Sequence, residues 1–595
     1  MPLQVMPLPL LITAATVLLT IVALVREWAA PALVISMAMV ALLVTGVTSP
    51  AEALAGFSNP APITVAALFI IARAVERTGA LRPLLERAVR PNGTQRGNLA
   101  RLLAPVAFVS AFLNNTPIVA MLIAPVTASA ERSGQSVSKF LMPLSFAVLL
   151  GGTVTLIGTS TNLVVSGLME QSGYAPIGMF ELTPIGLPLA LVGVLAMVRL
   201  VPTLLPPRRG IKEQFSAEFR EFTIEMEVER SGPISDRTVA EAGLRHLQGV
   251  FLGWIRRGDR VLSPVAPDEV LRAGDRLGFV GGVDRVMDLQ GMPGLRIAAH
   301  KHMRGLDSGE HRFLEVVLAA ISPLVGRTLK SADFREDYQA TVLAIHRSGE
   351  RIAGKLGDVT LAAGDTLLLL TDRGFAARWR DRREFLLVSQ LDGALPVSTK
   401  KAWIVLGITA LMIAGSALDV FPILEGSLLA AMMMVATGVL TPNEARNAVE
   451  IDVVLMIAAS FSIGTAIEAS GLAALVAGWI VAPTMAGGPI AVLAAIVLAT
   501  LAVTQLITNN AAAVLVFPIG MAAASSIGAD PRAFGVAIAV AASASFMTPI
   551  GYQTNAMVFG PGGYRFGDYS RLGTPLTLWA LFGTVFLVAL RWGMW

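Results

Sequence analysis

Apolar runs long enough to cross a bilayer follow one another along most of this chain, and they limit the fold more than any single motif. A helix needs about 20 consecutive apolar residues to span the hydrocarbon layer. Such runs lie near 8–25, 30–47, 62–76, 140–169 and 184–204, then near 402–418, 424–440, 452–468, 532–559 and 573–593. A polar segment, 206–399, separates the two sets. Only 15% of the 595 residues are charged, against roughly 25% in a soluble protein. The pattern predicts a polytopic α-helical membrane protein with an α+β domain inserted between two membrane halves. The first run has no basic start and no Ala-x-Ala site, so it is expected to remain as a helix rather than act as a signal peptide. The chain has no cysteine, which excludes disulfides, thiolate metal sites and a thiol nucleophile. His246, His300, His302, His311 and His346 are not at metal-ligand spacing.

Lysine and arginine in the loops set the orientation. Arg73, Arg77, Arg82, Arg87, Arg90, Arg96 and Arg101 crowd one stretch, and Arg132 and Lys139 flank the next loop. Arg208 and Arg209 open the polar segment, Lys400 and Lys401 close it, and Arg565 and Arg571 precede the last run. The loops 48–61, 170–183 and 469–487 contain neither residue type. These sets alternate if each half crosses five times. The insert is then cytoplasmic and both termini lie outside, in a bacterial inner membrane.

The two halves repeat one motif. Ser49-Pro50-Ala51-Glu52-Ala53 returns as Thr441-Pro442-Asn443-Glu444-Ala445. Thr155, Ile157, Gly158 and Asn162 return as Thr548, Ile550, Gly551 and Asn555, each 393 positions later, and Asn115 returns as Asn509. Five crossings is an odd number, so the second copy is inserted upside down. Inverted repeats place a transported species near the midplane, where both copies break their helices. Two breaks, Asn114-Asn115-Thr116-Pro117 and Thr508-Asn509-Asn510, split apolar pairs at 98–130 and 488–526. Their flanking segments are short, which predicts re-entrant hairpins. Two more breaks, around Gly158 and Gly551, unwind the helices at 140–169 and 532–559. There Thr, Gln or Asn is expected to cap the following half-helix.

Irregular backbone at membrane depth must line protein or water. A half-helix starting at such a tip aims free N–H groups and partial positive charge inward, which suits an anion. The half-helix that ends there offers carbonyls to a small cation, and Asn, Ser and Thr add neutral oxygens and donors. No Asp, Glu, Lys, Arg or His lies within 102–130 or 488–529, which favours Na⁺ over H⁺ as the coupling ion. Glu76 and Glu468 sit at matching places near helix ends and read as boundary residues.

These tips resemble those of the divalent anion/sodium symporter family, in which each hairpin tip reads Ser-Asn-Thr and faces a broken helix. The resemblance covers both membrane halves. It implies one cation site on Ser110, Asn114, Asn115 and the carbonyl of Gly158, and another on Thr504, Thr508, Asn509 and the carbonyl of Gly551. It implies substrate contacts from Asn115, Thr116, Thr159, Asn509, Asn510 and Gln553. It also implies a homodimer and an elevator-type motion. The chain departs from the family at Asn114 and Asn510. Thr159-Ser160-Thr161 and Tyr552-Gln553-Thr554 stand where carboxylate-transporting relatives carry Ser-Pro-Pro or Thr-Pro-Pro. Fewer prolines and more donors suit a compact oxyanion such as sulfate.

The insert repeats at an offset of 90: Gly274-Asp275-Arg276-Leu277 matches Gly364-Asp365-Thr366-Leu367, and Ile255 and Arg257 match Ile345 and Arg347. Alternating stretches such as Thr341-Val342-Leu343-Ala344-Ile345 predict strands, and Glu241-Ala242-Gly243-Leu244 predicts a helix. Each copy resembles a TrkA C-terminal lobe, carried best by Ser322-Pro323-Leu324-Val325-Gly326-Arg327-Thr328-Leu329. The expected domains are 1–205, 206–300, 301–399 and 400–595. The lobes read either as passive dimerisation modules or as binders of a nucleotide or ion effector.

The expected function is secondary active transport, with Na⁺ and a divalent anion, sulfate above others, moving together. The alternatives are a Na⁺-coupled di- or tricarboxylate transporter, a ligand-regulated ion channel and a cation/proton antiporter. No enzyme, cofactor or nucleic-acid partner is expected. The partners are a small inorganic or carboxylate anion, Na⁺, membrane lipid and a second copy of the chain.

Overall fold

The computed structural model describes residues 7–26, 28–80, 93–208 and 399–595. Between these it describes 223–230, 232–244, 247, 250–258, 260–262, 265–281, 292–297, 311–318, 322–347, 350–352, 356–362, 364–372, 374–379 and 384–389. Arg82, Arg87, Arg90, Arg209, His246, His300 and His302 lie outside the described residues. The chain forms two compact units. One comprises Met1–Pro207, Ala394–Val558 and Phe566–Trp595; the other comprises Arg208–Gly393 and Phe559–Arg565.

The first unit is helical. Its first half contains α1 (Leu8–Val25), α2 (Pro31–Val44), α3 (Pro60–Thr78), α4 (Gln95–Ser110), α5 (Asn115–Arg132), α6 (Ser138–Gly152), α7 (Ser160–Gln171) and α8 (Thr183–Leu204). Its second half contains α9 (Thr399–Ala417), α10 (Ile423–Ala436), α11 (Ile451–Ala469), α12 (Leu472–Thr484), α13 (Gly488–Thr504), α14 (Asn509–Ser526), α15 (Pro531–Ala542), α16 (Gln553–Phe559) and α17 (Phe566–Trp592). Among the described residues, eight helical stretches are long and apolar enough to cross a membrane. Proline opens the first turn of α1, α2, α3, α8, α13 and α15, where its missing N–H leaves no bond unmade.

The repeated Ser-Pro-Ala-Glu-Ala and Thr-Pro-Asn-Glu-Ala motifs fold alike. Each starts a short helix, Pro50–Leu54 or Pro442–Ala448, with a capping box. The Ser49 N–H donates to Glu52 at 2.7 Å, and the Thr441 N–H donates to Glu444 at 2.8 Å. Each box satisfies two of the N–H groups that a helix start leaves orphaned.

The halves exchange neighbours: α2 packs on α11, α3 on α10, and α8 on α17. Ion pairs join them as well, Arg77 to Glu444 and Arg532 to Glu181. A buried apolar cluster runs from Ile35 and Leu42 through Ile463 and Ile467 to Ile507, Ala512 and Leu515, so the second hairpin rests on α2 and α11. The stretch 469–487, expected as a loop, contains α12. Its 13 residues are too few to span a bilayer alone, but Leu472, Ala473, Ala477 and Val481 are buried in a helix that packs on α13 and α14.

The second unit holds two antiparallel sheets. The first is built from β1 (Thr223–Val228), β2 (Val250–Arg257), β3 (Arg260–Leu262), β4 (Arg276–Gly281) and β5 (Leu295–Ile297), in the order β3-β2-β4-β1-β5. The second is built from β6 (His311–Leu318), β7 (Ala340–Arg347), β8 (Glu350–Arg351), β9 (Thr366–Asp372) and β10 (Phe385–Ser389), in the order β10-β6-β9-β7-β8. With β6 to β10 taken for β1 to β5, the two orders are identical. The register slips at the same place in both, between Leu252 and Trp254 and between Val342 and Ala344. Glycine at a left-handed φ makes the turn before β4 and β9, at Gly274 and Gly364.

Behind each turn lies a forked ion pair. Arg257 Nε and Nη2 donate to Asp275 at 2.9 and 2.8 Å, and Arg347 Nε and Nη2 donate to Asp365 at 2.8 and 2.7 Å. Bidentate geometry makes these strong, oriented contacts. Asp365 is fully buried and also accepts from the Ala362 N–H at 2.8 Å. Asp365→Asn is expected to cost the second sheet about 1–3 kcal/mol, less than a sealed pair because Arg347 reaches solvent. Hydrogen exchange of the full-length protein should show faster exchange in β7 and β9, with β2 and β4 unchanged.

The helix expected over Glu241–Leu244 does not form. Those residues make turns, and Gly243 has a φ of +72°. The matching positions of the second copy, 331–333, also make turns, and a short helix, Phe334–Tyr338, begins only after them, with Phe334 and Tyr338 buried.

Candidate substrate and cation site

Each hairpin turns over in four residues. α4 ends at Ser110 and α5 begins at Asn115; α13 ends at Thr504 and α14 begins at Asn509. Serine or threonine therefore closes one helix, and asparagine opens the next. Ser110, Asn115, Thr504 and Asn509 are all essentially sealed from solvent.

The same hydrogen bonds recur in both halves. The Ser110 hydroxyl lies 2.8 Å from the Val148 carbonyl, and the Thr504 hydroxyl lies 2.6 Å from the Ala542 carbonyl. The Asn115 amide is 2.8 Å from Ser110 Oγ, and the Asn509 amide is 2.9 Å from Thr504 Oγ1. Asn162 donates to the carbonyls of Gly152 and Thr155 at 3.0 and 2.8 Å; Asn555 donates to those of Ser545 and Thr548 at 2.8 and 3.2 Å. These two asparagines were expected to cap the following half-helix. They instead reach back and hold the unwound carbonyls in place, and Thr159, the residue before α7, makes no side-chain cap bond.

The tip of each hairpin meets the broken helix of the other half. Asn115 lies 3.2 Å from the Tyr552 hydroxyl, and the Thr116 hydroxyl donates to Gln553 at 3.4 Å. Asn510 accepts from Ser160 at 3.2 Å and from Thr161 at 3.0 Å. Ser145 of α6 bonds to Thr554 and Asn555 at 2.8 and 2.7 Å. The N-terminus of α5 therefore meets that of α16, and the N-terminus of α14 meets that of α7. These helix starts bring partial positive charge together without a fixed charge, an arrangement that suits an anion. Among the described residues, no group of three or more His, Asp or Glu could hold a metal ion.

One end of the Asn115 amide is ringed by oxygens: Ser110 Oγ at 2.8 Å, the Val148 carbonyl at 3.2 Å and the Gly158 carbonyl at 3.3 Å. The Ser110 hydroxyl has one hydrogen and gives it to one neighbour at a time. The ring is satisfied internally if the amide turns its nitrogen inward, with its oxygen accepting from Tyr552. With the amide oxygen inward, four oxygens converge with only the Ser110 hydrogen among them, an arrangement that suits a cation. Gly158 allows this closeness, since a Cβ there would lie 2.6 Å from the Gly152 carbonyl. In the second half, Gly551 stands against the Thr504 carbonyl, and the Asn509 amide nitrogen is buried without a partner.

Of the residues anticipated for cations, the structure groups Ser110, Asn115 and Gly158, and likewise Thr504, Asn509 and Gly551. Asn114 is occupied as a cap, its side chain accepting from the Asn115 N–H at 2.8 Å. The Thr508 hydroxyl turns away, 3.9 Å from Met456 Sδ. Of the residues anticipated for substrate, Asn115, Thr116 and Gln553 lie where the first tip meets the second half's break, and Asn510 lies where the second tip meets the first half's break. Thr159 is fully buried, and its hydroxyl makes no hydrogen bond of good geometry.

The sequence pattern that defines citrate transporters matches residues 21–541. The chain belongs to the citrate transporter family. A relative described as an uncharacterized transporter of Synechocystis is 36% identical over 98% of this chain and 97% of its own length. A putative sulfur deprivation response regulator of Chlamydomonas reinhardtii is 35% identical over 91% of this chain and 95% of its own. Sodium/sulfate cotransporter 1 of the same alga is 26% identical over 96% of this chain and 89% of its own. This citrate transporter family member is thus a multi-pass membrane transporter, not an enzyme.

Sequence reasoning alone missed three residues of the family member's site. Tyr552 enters the sequence reading only as part of the break Tyr552-Gln553-Thr554, with no role of its own. Gln505 holds the unwound segment, donating to the Ala544 carbonyl at 3.0 Å and accepting from the Met547 N–H at 2.8 Å. Ser145 lies inside an apolar helix. Ser145 could have been found as the one polar side chain between Phe140 and Leu150; Gln505 and Tyr552 lie among polar neighbours and carry no such signal.

Proposed function

We propose that this transporter is a symporter that moves a divalent oxyanion, sulfate first among candidates, together with Na⁺. The reading rests on one observation. Each uncharged asparagine tip is hydrogen-bonded to the broken helix of the opposite half, so helix starts and clustered oxygens are neighbours. Na⁺ is cargo here, held by Ser110, Asn115 and Gly158 and by Thr504, Asn509 and Gly551. The anion is held by helix ends and by Thr116, Thr159, Asn510 and Gln553, with the bound cations offsetting its charge. The names of the Chlamydomonas sodium/sulfate cotransporters support sulfate and Na⁺.

The matched bonds and exchanged neighbours of the two halves support two inverted repeats. Family resemblance supports an elevator-type motion on a dimeric scaffold. The two sheets of identical strand order support a tandem of TrkA C-terminal-type lobes, on the cytoplasmic side of an inner membrane with both termini outside. A nucleotide or ion effector would act there.

The purified protein in proteoliposomes tests the reading. Labelled sulfate uptake is expected to be at least about fivefold faster with an inward Na⁺ gradient than with Na⁺ equal on both sides. Equal rates would sink the coupling. The family description, citrate, supports a second reading as a Na⁺-coupled di- or tricarboxylate transporter. Unlabelled citrate or succinate displacing sulfate would favour it.

A further inference from the structure

We infer that Tyr552 transmits cation binding at Ser110, Asn115 and Gly158 to the anion, by responding to which way the Asn115 amide is turned. The inference rests on the Na⁺-coupled reading above. A primary amide has a donor end and an acceptor end, and rotation about its last bond exchanges them. One end of Asn115 faces Ser110 Oγ, the Val148 carbonyl and the Gly158 carbonyl; the other faces the Tyr552 hydroxyl at 3.2 Å. What satisfies one end therefore dictates what the other end offers to Tyr552.

A cation among the oxygens requires the amide oxygen to face it. The amide nitrogen then donates to Tyr552, whose own hydrogen is free to be given elsewhere. Tyr552 stands at the meeting of the α5 and α16 N-termini, beside Thr116 and Gln553, so that hydrogen is available to an oxyanion. Without the cation, the amide nitrogen turns inward to the carbonyls, and the amide oxygen takes the Tyr552 hydrogen. The anion then loses a donor. One rotation couples the two cargoes, and neither has to touch the other.

The second copy has no such relay. The residue matching Tyr552 at the repeat spacing is Thr159. Its hydroxyl faces Tyr552 rather than bonding Asn509, and the Asn509 nitrogen is left without a partner. The coupling is therefore assigned to the first tip alone.

Full-length protein carrying Tyr552→Phe tests this. Sulfate Kd is measured in choline and in saturating Na⁺, and Na⁺ Kd is measured without sulfate. Phenylalanine removes a hydrogen bond from both amide orientations, so Na⁺ affinity alone should stay within roughly threefold. The tightening of sulfate by Na⁺ should fall roughly tenfold, the worth of one hydrogen bond to a charged group. Unchanged tightening overturns the relay. So does a parallel loss of both affinities with the tightening intact, which is what a merely structural role would give. If the phenylalanine variant does not fold, fluorotyrosine at 552 is the second measurement. Its ¹⁹F resonance should move on adding Na⁺ without sulfate, and a fixed resonance overturns the relay. If the unaltered protein shows no sodium effect on sulfate, the symport reading itself is overturned, and the relay with it.

Discussion

Asn115→Ala and Asn509→Ala are each expected to cut sulfate uptake by about a hundredfold or more, while the protein still inserts and keeps its thermal midpoint within a few degrees. Each asparagine has both amide ends committed to the site. Asn115 serves the oxygen ring and Tyr552; Asn509 serves Thr504 and leaves a buried nitrogen over for cargo. Removing such a group strips a ligand from a proposed cation site and leaves its former neighbours desolvated. At about 1–3 kcal/mol per buried polar group left unpaired, two such losses amount to a hundredfold or more. The fold is supported elsewhere, by the exchanged helix pairs and the clamps of Asn162 and Asn555. Uptake in proteoliposomes and a melting curve of the same preparation check both parts. Uptake retained in either variant would remove that tip from the transport path.

Gly158→Ala should act through space alone. An added Cβ would meet the Gly152 carbonyl oxygen at 2.6 Å, the Gly152 Cα at 2.9 Å and the Ser110 carbonyl oxygen at 2.9 Å. All three are backbone atoms and none can swing aside. The strain is about 1–3 kcal/mol, and the Gly158 carbonyl moves off the oxygen ring, so uptake is expected to fall about 10–100-fold. Gly464→Ala is the control. Its Cβ would find Leu168 Cδ2 at 3.5 Å and Pro518 Cγ at 4.0 Å, both ordinary contacts, and alanine favours the helix by up to about 1 kcal/mol. Equal losses in the two variants would show that glycine in these helices matters for a reason other than the approach at Gly158.

The asparagine tips were legible because polar residues interrupt apolar runs that carry no charge, and because the interruption occurs twice. The glycine breaks were legible for the same reason. The segment containing α12 was not, because 13 residues fall short of a span and the rule applied was one of length. The roles of Asn162 and Asn555 were misread. An asparagine near a helix start suggests a cap, but here the stronger demand comes from unwound carbonyls behind it that no water reaches. Glu241–Leu244 carries helix-compatible residues on either side of Gly243, yet the chain needs a left-handed φ at that glycine. Tyr552 could not be found by any pattern internal to one half. Its partner is 437 positions away, and only the packing of the two halves brings them together.

That separation along the chain has a consequence for biogenesis. When the first hairpin leaves the ribosome, the second-half groups that will bond Asn115, Thr116 and Ser145 have not been synthesised. At about 5–20 residues per second, the wait for Tyr552, Gln553 and Asn555 lasts about 20–90 s. Through that interval, Thr116, Ser145 and one end of the Asn115 amide lack those partners at the depth of the acyl chains. The first half must therefore be sheltered by the insertion machinery until the last two helices arrive, and truncation before residue 552 should expose it to membrane proteases rather than yield a stable half-transporter.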